Sequence, residues 1–402
     1  MSRLWDKGAP LDERVLRYTA GEDHALDERL VEYDVRASLA HTDMLHAQGL
    51  LSAPDATAIR TGLRELGDAH ARGEWRISLE DEDGQTALEK RLTARIGAAG
   101  GRVHLGRSRN DQVLTALRLY MRETLTELAS GAEAAAAALD RLGARQGAVA
   151  LPGYTHMQQA MPSSVALWAG GFAAELRDDA EGLRDAQRRP GRNPLGSAAG
   201  FGTPGLPLDR AATTQSLGFQ STQEPVTAAQ LSRGKAEAQL LFEVTMLMQD
   251  LGKLAADLLL FCTQEFAFVD LPEAFMTGSS IMPQKRNPDV FELLRGRGAT
   301  ALACLTEALA LCAKLPSGYQ RDLQLLKAPL FRGIDLAQQS LDIAVPAIDA
   351  LQFNPATIRI DPAVHAAREA FALVVSEGLP FRDAYRRIAA RFARSGRKGS
   401  GS

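Results

Sequence analysis

The sequence predicts an all-α protein, a long central helical bundle flanked by two smaller helical domains. Three observations carry that prediction. The composition is rich in alanine and leucine, with 45% hydrophobic but only 6% aromatic residues, which suits helices better than sheets. Strict apolar–polar alternation, the signature of strands, is scarce. Five long stretches repeat apolar residues every three or four positions and are joined by short connections, the pattern of a bundle.

The elements follow in order. At 402 residues the chain has room for two or three domains. Residues 1–100 read as an N-terminal helical domain with an acidic patch, Glu80-Asp81-Glu82-Asp83. Residues 101–351 read as the central domain. Its first helix is predicted at about 110–148, with Val113, Leu117, Tyr120 and Leu128 on one face, and its second at about 163–189. The longest pattern is 235–266, where Leu240, Val244, Leu247, Leu251, Leu254, Leu258 and Phe261 form one stripe. A helix of that length would extend about 45 Å. A fourth helix should begin after Asn287-Pro288, with Asn as cap and Pro at the first helical position. The fifth should span about 322–351. Residues 352–394 read as a small C-terminal helical domain, and 395–402, ending SGRKGSGS, as a disordered tail.

Several function classes are excluded by what these residues lack. Lys plus Arg is 46 and Asp plus Glu is 49, a net charge of −3, which argues against a dedicated nucleic-acid binder. No apolar run approaches the ~18 residues that cross a bilayer, so no membrane association is expected. The start, MSRLWDKGAPLDERV, has no apolar signal-peptide core. Cys262, Cys304 and Cys312 lack both disulfide-scaffold and zinc spacing, so a reducing cytoplasm is the expected location. The seven histidines form no HxxxH or HExxH pair, and no phosphate loop or dinucleotide fingerprint is present. No metal and no cofactor are expected.

Chemistry concentrates in turn-rich segments, where loops on a rigid scaffold carry function. In Thr277-Gly278-Ser279-Ser280-Ile281-Met282-Pro283-Gln284-Lys285-Arg286-Asn287-Pro288, Gly278 permits an unusual turn. Two hydroxyls follow it, and two cations precede a helix start. Free N–H groups and the helix dipole favour an anion there; a solvated loop before a capped helix is the plainer reading. Gly101–Gln112 opens a long helix with Arg107, Arg109, Asn110 and Asp111. Paired arginines could hold a carboxylate, or the segment is simply a cap. His156, in Pro152-Gly153-Tyr154-Thr155-His156-Met157-Gln158, is either an acid–base group or a hydrogen-bonded structural histidine. Tyr319-Gln320-Arg321-Asp322-Leu323-Gln324, with Lys327, is a polar cluster at the start of the fifth helix. The segment 190–209, PGRNPLGSAAGFGTPGLPLD, reads as a second surface loop.

The segment GSSIMPQKRNPD resembles the signature of the fumarase/aspartase superfamily, whose members eliminate fumarate from succinyl substrates. Within it the chain is similar to the argininosuccinate lyases. GRVHLGRSRNDQV, PGYTHMQQAMP, NPLGSAAGFGTPGLPLDR, GSSIMPQKRNPD and GYQRDLQLLK occur in that family's order over about residues 20–385. The resemblance implies a homotetramer whose active sites each combine loops from three subunits, acting on argininosuccinate in arginine biosynthesis. It implies that Ser279 removes the carbon proton, that His156 protonates the departing nitrogen and that Glu292 pairs with His156. Lys285 and Asn287 would hold the succinyl carboxylate. Asp27, Arg109, Asn110, Thr155, Arg233, Tyr319, Gln324 and Lys327 match substrate-binding positions. A lyase for another N-substituted aspartate, and an inactive structural protein on the same scaffold, are the alternatives.

The chain also departs from the family pattern. Gln85 stands where a histidine is usual, Thr222-Gln223-Glu224-Pro225-Val226 replaces an Asn-Ser-x-Asp-Ala segment, and Asp23 stands where many members have serine.

Overall fold

The structure, a computed structural model, describes residues 12–395. The tail from 396 onward lies outside the described residues. Ten helices are used below: α1 (Val31–Ala47), α2 (Ala53–Ala71), α3 (Gly84–Ile96), α4 (Arg109–Gln146), α5 (Val165–Asp185), α6 (Lys235–Phe261), α7 (Asp289–Cys312), α8 (Lys327–Ala350), α9 (Ala366–Glu377) and α10 (Phe381–Ser395). The five predicted long helices are α4 to α8. The predicted stripe on α6 is buried at every position from Leu240 to Phe261, and Val113, Leu117 and Leu128 are buried on α4. Tyr120 is half-buried, with its ring edge-on to Tyr33 and Phe331.

The chain divides into two compact units. The first comprises residues through Ser130, Ala180–Met246 and Ala299–Gln338; the second comprises Gly131–Asp179, Leu247–Gly298 and Gln339 onward. In the first unit α1, α2 and α3 close over Val35, Leu45, Ile59, Leu63 and Leu92. Ser52 caps α2 by accepting the Asp55 N–H at 3.3 Å, and Asp83 caps α3 by accepting the Thr86 N–H at 2.8 Å. The bundle helices of this unit approach closely: a Cβ added at Gly333 would lie 2.4 Å from Leu241. In the second unit α9 and α10 share Ala370, Ala384 and Ile388.

Two features differ from the sequence reading. The helix after Asn287-Pro288 begins at Asp289, so Pro288 precedes it and supplies the carbonyl that accepts the Phe291 N–H at 3.0 Å. The Pro152–Gln158 segment, read as turn-rich, lies in an antiparallel hairpin of β1 (Ala150–Thr155) and β2 (Gln158–Ser164). Its sequence hides it, because Pro152 faces Pro162 and apolar residues do not alternate.

Some large apolar side chains on the long helices stay exposed. Phe242 is 48% and Met246 40% exposed on α6, and Leu302 and Leu309 are at least half exposed on α7. Their spacings, four and seven residues, align each pair along one side of its helix.

The start of α4 is anchored from α1. His41 is fully buried and its Nε2–H donates to the Leu105 carbonyl at 2.8 Å. The acceptor fixes the tautomer, since a carbonyl cannot donate. Burial, helped by the nearby Arg107 charge, depresses the His41 pKa to about 3. An unfolded histidine titrates near 6.5, so this neutral burial contributes stability above that pH and loses it as the pH falls towards 3. Asp34 and Asp111, both raised by burial to about 6, act in the opposite sense. His41→Gln keeps a donor but removes the titration and leaves both carboxylates in place. The wild type should lose about 2 kcal/mol more than His41→Gln between pH 7 and pH 5. Urea unfolding at the two pH values reads the difference, and equal losses would contradict a neutral buried imidazole.

Candidate active site

In the second unit the β1–β2 hairpin carries Thr155 and His156 at its tip. The two turn residues, His156 and Met157, have φ of 54° and 60°. Positive φ at both central residues is the geometry of the tight hairpin turn whose twist matches the strands. Such turns prefer Asn-Gly, so holding His and Met there stores about 1–2 kcal/mol per residue. The residues flanking the turn are secured against this strain. Gln159 Nε2 donates to the Arg359 carbonyl at 2.9 Å and its Oε1 accepts the Asp361 N–H at 2.8 Å. Tyr154 meets Phe266 edge-on, and Trp168 donates to Asp257 at 2.9 Å while its ring lies against Phe261 and Phe353. A rigid aromatic platform therefore presents an exposed imidazole.

The Ser279 segment lies in the same unit. Thr277–Gly278 pairs antiparallel with Arg286–Asn287, so the intervening residues form a closed loop. The hydroxyl of Thr277 donates to Asp289, which ties the loop to the first turn of α7. Ser279 Oγ accepts the Met282 N–H at 3.2 Å and the Ile281 N–H at 3.4 Å. Two backbone donors on that oxygen favour its anionic form, as an alkoxide base requires. Arg286 folds back onto the Pro283 and Lys285 carbonyls and onto Glu273. Lys285 is exposed and has no ion-pair partner among the described residues. Gly278 keeps an ordinary φ and has open space around it, so the loop does not use the turn freedom expected of it.

The other assigned residues lie in the first unit. Lys327, 1% exposed at the start of α8, donates to Asp27 at 2.6 Å and to Asp23 at 2.8 Å. Burial works against its charge, but Asp27 and Asp23 outweigh it and raise the Lys327 pKa. The second oxygen of Asp27 accepts the Gly84 N–H at 3.0 Å. Asp83 then pairs with Arg109 at 2.8 Å, and Glu82 lies 3.3 Å from the same guanidinium. The Asn110 N–H donates to Ser108 Oγ at 3.3 Å. The Tyr319 hydroxyl accepts from Gln324 Nε2 at 2.9 Å. Buried Arg233 donates to the adjacent Leu323 carbonyl at 3.1 Å and lies 3.6 Å from Glu237. The segment 319–327 thus gathers Arg233, Tyr319, Gln324, Lys327 and Asp27.

Several partners escaped the sequence reading. Asp111 accepts the Ser108 N–H at 2.8 Å through one oxygen and the Gly196 and Ala198 N–H groups at 2.9 Å through the other. It fixes the glycine-rich 190–209 segment to the start of α4. The signal was the Ser-x-x-Asp spacing of a capping box. Asp83 and Glu82 were visible only as an acidic patch, yet they hold Arg109. Gln85, at the divergent position, is 4% exposed, one residue from the Gly84 contact to Asp27.

His156, Ser279 and Glu292 do not meet. Thr155, His156 and Glu292 are exposed, and no hydrogen bond or ion pair joins His156 to Glu292 or to Ser279 among the described residues.

Residues 13–302 match a family described as lyase. The argininosuccinate lyase of Sorangium cellulosum is 47% identical over 393 residues, 97% of this chain and 91% of that protein. Those of Xylella fastidiosa (strain 9a5c) and Thermotoga neapolitana are 42% and 38% identical, covering 96% and 98% of this chain and 87% and 98% of theirs. Among solved structures, an EDDS lyase variant with bound fumarate aligns with a TM-score of 0.80 at 24% identity, over 98% of this chain and 78% of that one. A class II fumarase from Schistosoma mansoni aligns at 0.79 and 18% identity, over 96% and 91% of the two chains. These structural likenesses bear out the helical-bundle fold.

Removing Lys327 would leave buried Asp27 without its cation and Asp23 with Arg321 at 3.9 Å. Lys327→Met should lower stability by about 3–5 kcal/mol, whereas Asp23→Asn, which keeps the Asp27–Lys327 pair, should cost clearly less. Urea unfolding midpoints at pH 7.5 check this order, and a Lys327→Met loss below about 1 kcal/mol would mean the cluster is not ionised as described.

Proposed function

This chain belongs to the lyase family and, within the fumarase/aspartase superfamily, to the argininosuccinate lyases, and from that premise we propose how its residues carry out the reaction. The reaction is the reversible elimination of argininosuccinate to fumarate and L-arginine, a carbon–nitrogen lyase step. The observation that carries it is the full-length identity to argininosuccinate lyases, 38–47%.

Ser279 takes the proton from the succinyl carbon β to the departing nitrogen. The electron pair passes into the neighbouring carboxylate, giving a doubly charged aci-carboxylate. Lys285 and Asn287 stabilise that charge, which is the demanding part of the step. The C–N bond then breaks, fumarate's double bond forms, and His156, tuned by Glu292, delivers a proton to the guanidino nitrogen. Two backbone N–H groups on Ser279 Oγ support the serine as base. Asp27, Arg109, Asn110, Thr155, Arg233, Tyr319, Gln324 and Lys327 bind the substrate.

A homotetramer with each site built from three subunits completes this reading. Two observations support it. No hydrogen bond or ion pair joins His156, Glu292 and Ser279 among the described residues, and the long helices leave Phe242, Met246, Leu302 and Leu309 exposed, as surfaces that meet partners do. The proposed setting is arginine biosynthesis in the cytoplasm; no helix among the described residues is long and apolar enough to cross a membrane.

The direct test is the absorbance of fumarate formed from argininosuccinate. Wild type should turn over, and Ser279→Ala should lose at least about a thousandfold in kcat with folding intact. A loss of only a fewfold would remove Ser279 as the base. Fumarate from a different N-substituted aspartate, with none from argininosuccinate, would reassign the substrate.

The shared site has its own test. Ser279→Ala and His156→Asn chains, each inactive alone, should regain activity when mixed and reassembled. With random assembly about one quarter of sites draw both intact loops, so recovery should approach roughly 25% of wild type. Absence of recovery in proven hybrids would mean that one chain supplies both residues.

A further inference from the structure

The first unit holds a cleft of about 430 Å³ lined by Arg118, Arg188, Arg189, Arg192 and Lys235, with no carboxylate among its lining residues. None of the residues assigned to the lyase reaction lines it. Arg118 forms its floor at 2% exposure. Every acceptor of the Arg118 guanidinium is neutral: the Arg192 carbonyl, Gln223 Oε1, and Ser232 Oγ at 2.8 Å. Its Nε has no partner among the described residues. The carboxylate that acts on it, Glu237, lies 3.6 Å from Arg233 and is engaged by that cation. Burial, with repulsion from Arg233 and Arg192, lowers the Arg118 pKa to about 9. Arg189 likewise reaches the neutral Gln239 and takes part in no ion pair among the described residues. Arg188, Arg192 and Lys235 take part in no ion pair among the described residues.

A buried guanidinium that shares its one nearby carboxylate with a second buried cation is under-neutralised, and four more cations beside it raise the cost. A folded chain keeps such a group where an anion completes it. We propose that this cleft is a binding site for a phosphate group. Guanidinium forks match phosphate oxygens, and a compact tetrahedral dianion can accept from several arginines at once. Here they arrive from three elements: Arg118 from α4, Arg188–Arg192 from the segment after α5, and Lys235 from the first turn of α6. The N-terminal end of that 27-residue helix adds its favourable dipole. A single carboxylate would occupy one fork and leave the other cations unpaired. A nucleic-acid strand would call for cations repeated along a groove, and this cleft is one closed cluster. The phosphate is either free or carried on a nucleotide.

The test titrates the assembled enzyme calorimetrically with inorganic phosphate and, separately, with ADP, at constant ionic strength. Saturable binding with a Kd of about 1 mM or tighter is expected for at least one probe. Arg188→Ser/Arg192→Ser, exposed at the rim and therefore compatible with folding, should weaken it at least about tenfold while leaving turnover of argininosuccinate unchanged. ADP binding at least about tenfold tighter than phosphate identifies a nucleotide phosphate, and equal affinities identify the free anion. Both support the site. No saturable binding of either probe up to about 20 mM, or equal binding by the double variant, would overturn it. So would a double variant that changes the mass of the assembly while the wild type binds neither probe, because another copy would then cover the cleft.

Discussion

The constraint on which the functional half of this molecule depends is the pairing of buried charge around Asp27. Lys327 opens α8, Gly84 opens α3 and Arg109 opens α4, and these three helix starts lie far apart in sequence. Asp27 takes Lys327 with one oxygen and the Gly84 N–H with the other. One residue earlier, Asp83 caps α3 with one oxygen and holds Arg109 with the other. Two carboxylates thus join the ends of three helices. A buried ion pair that loses one partner is strongly destabilising, so the arrangement resists any shift of one helix start against the others. Residues assigned to substrate binding are therefore also structural, which gives them little freedom to move.

The residues assigned to proton transfer obey a different logic. Ser279 and His156 lie in short two-stranded elements that contribute little core. The His156–Met157 turn is held at positive φ, a conformation those side chains disfavour, and an aromatic base with the Gln159 hydrogen bonds keeps it there. Strain held by a rigid support is common where a side chain must be aimed rather than buried. Ser279 is likewise aimed: the two N–H groups on its oxygen come from its own loop, so the donor set travels with the residue.

Two kinds of cation stand out. Lys327 and Arg109 have carboxylate partners in the fold. Among the described residues Arg118 hydrogen-bonds to neutral oxygens, and the carboxylate that acts on it, Glu237, is shared with Arg233. The first arrangement balances charge within the fold, whereas the second leaves the Arg118 Nε–H without an acceptor among the described residues and shares one buried carboxylate, Glu237, between two cations.

Much of the fold was legible in the sequence because helical periodicity is local. The α6 stripe from Leu240 to Phe261 repeats within single turns, and the buried side chains match it position by position. The segment proposed to carry the proton transfer was legible as a unit, since Ser279, Lys285 and Asn287 lie within one short loop. The hairpin under His156 was not, because its opposed prolines break the strand pattern and its turn lacks the usual glycine. Nor were the partners of the binding residues. Asp27 lies 300 residues from Lys327, and Asp111 lies 85 from Gly196. No periodicity links such positions. By itself the sequence determined which segments are helical and to which family the chain belongs, and it pointed to the loops proposed to carry the reaction. Only the tertiary structure decided which carboxylate neutralises which cation, because burial makes an unpaired charge intolerable and folding alone brings the partners together.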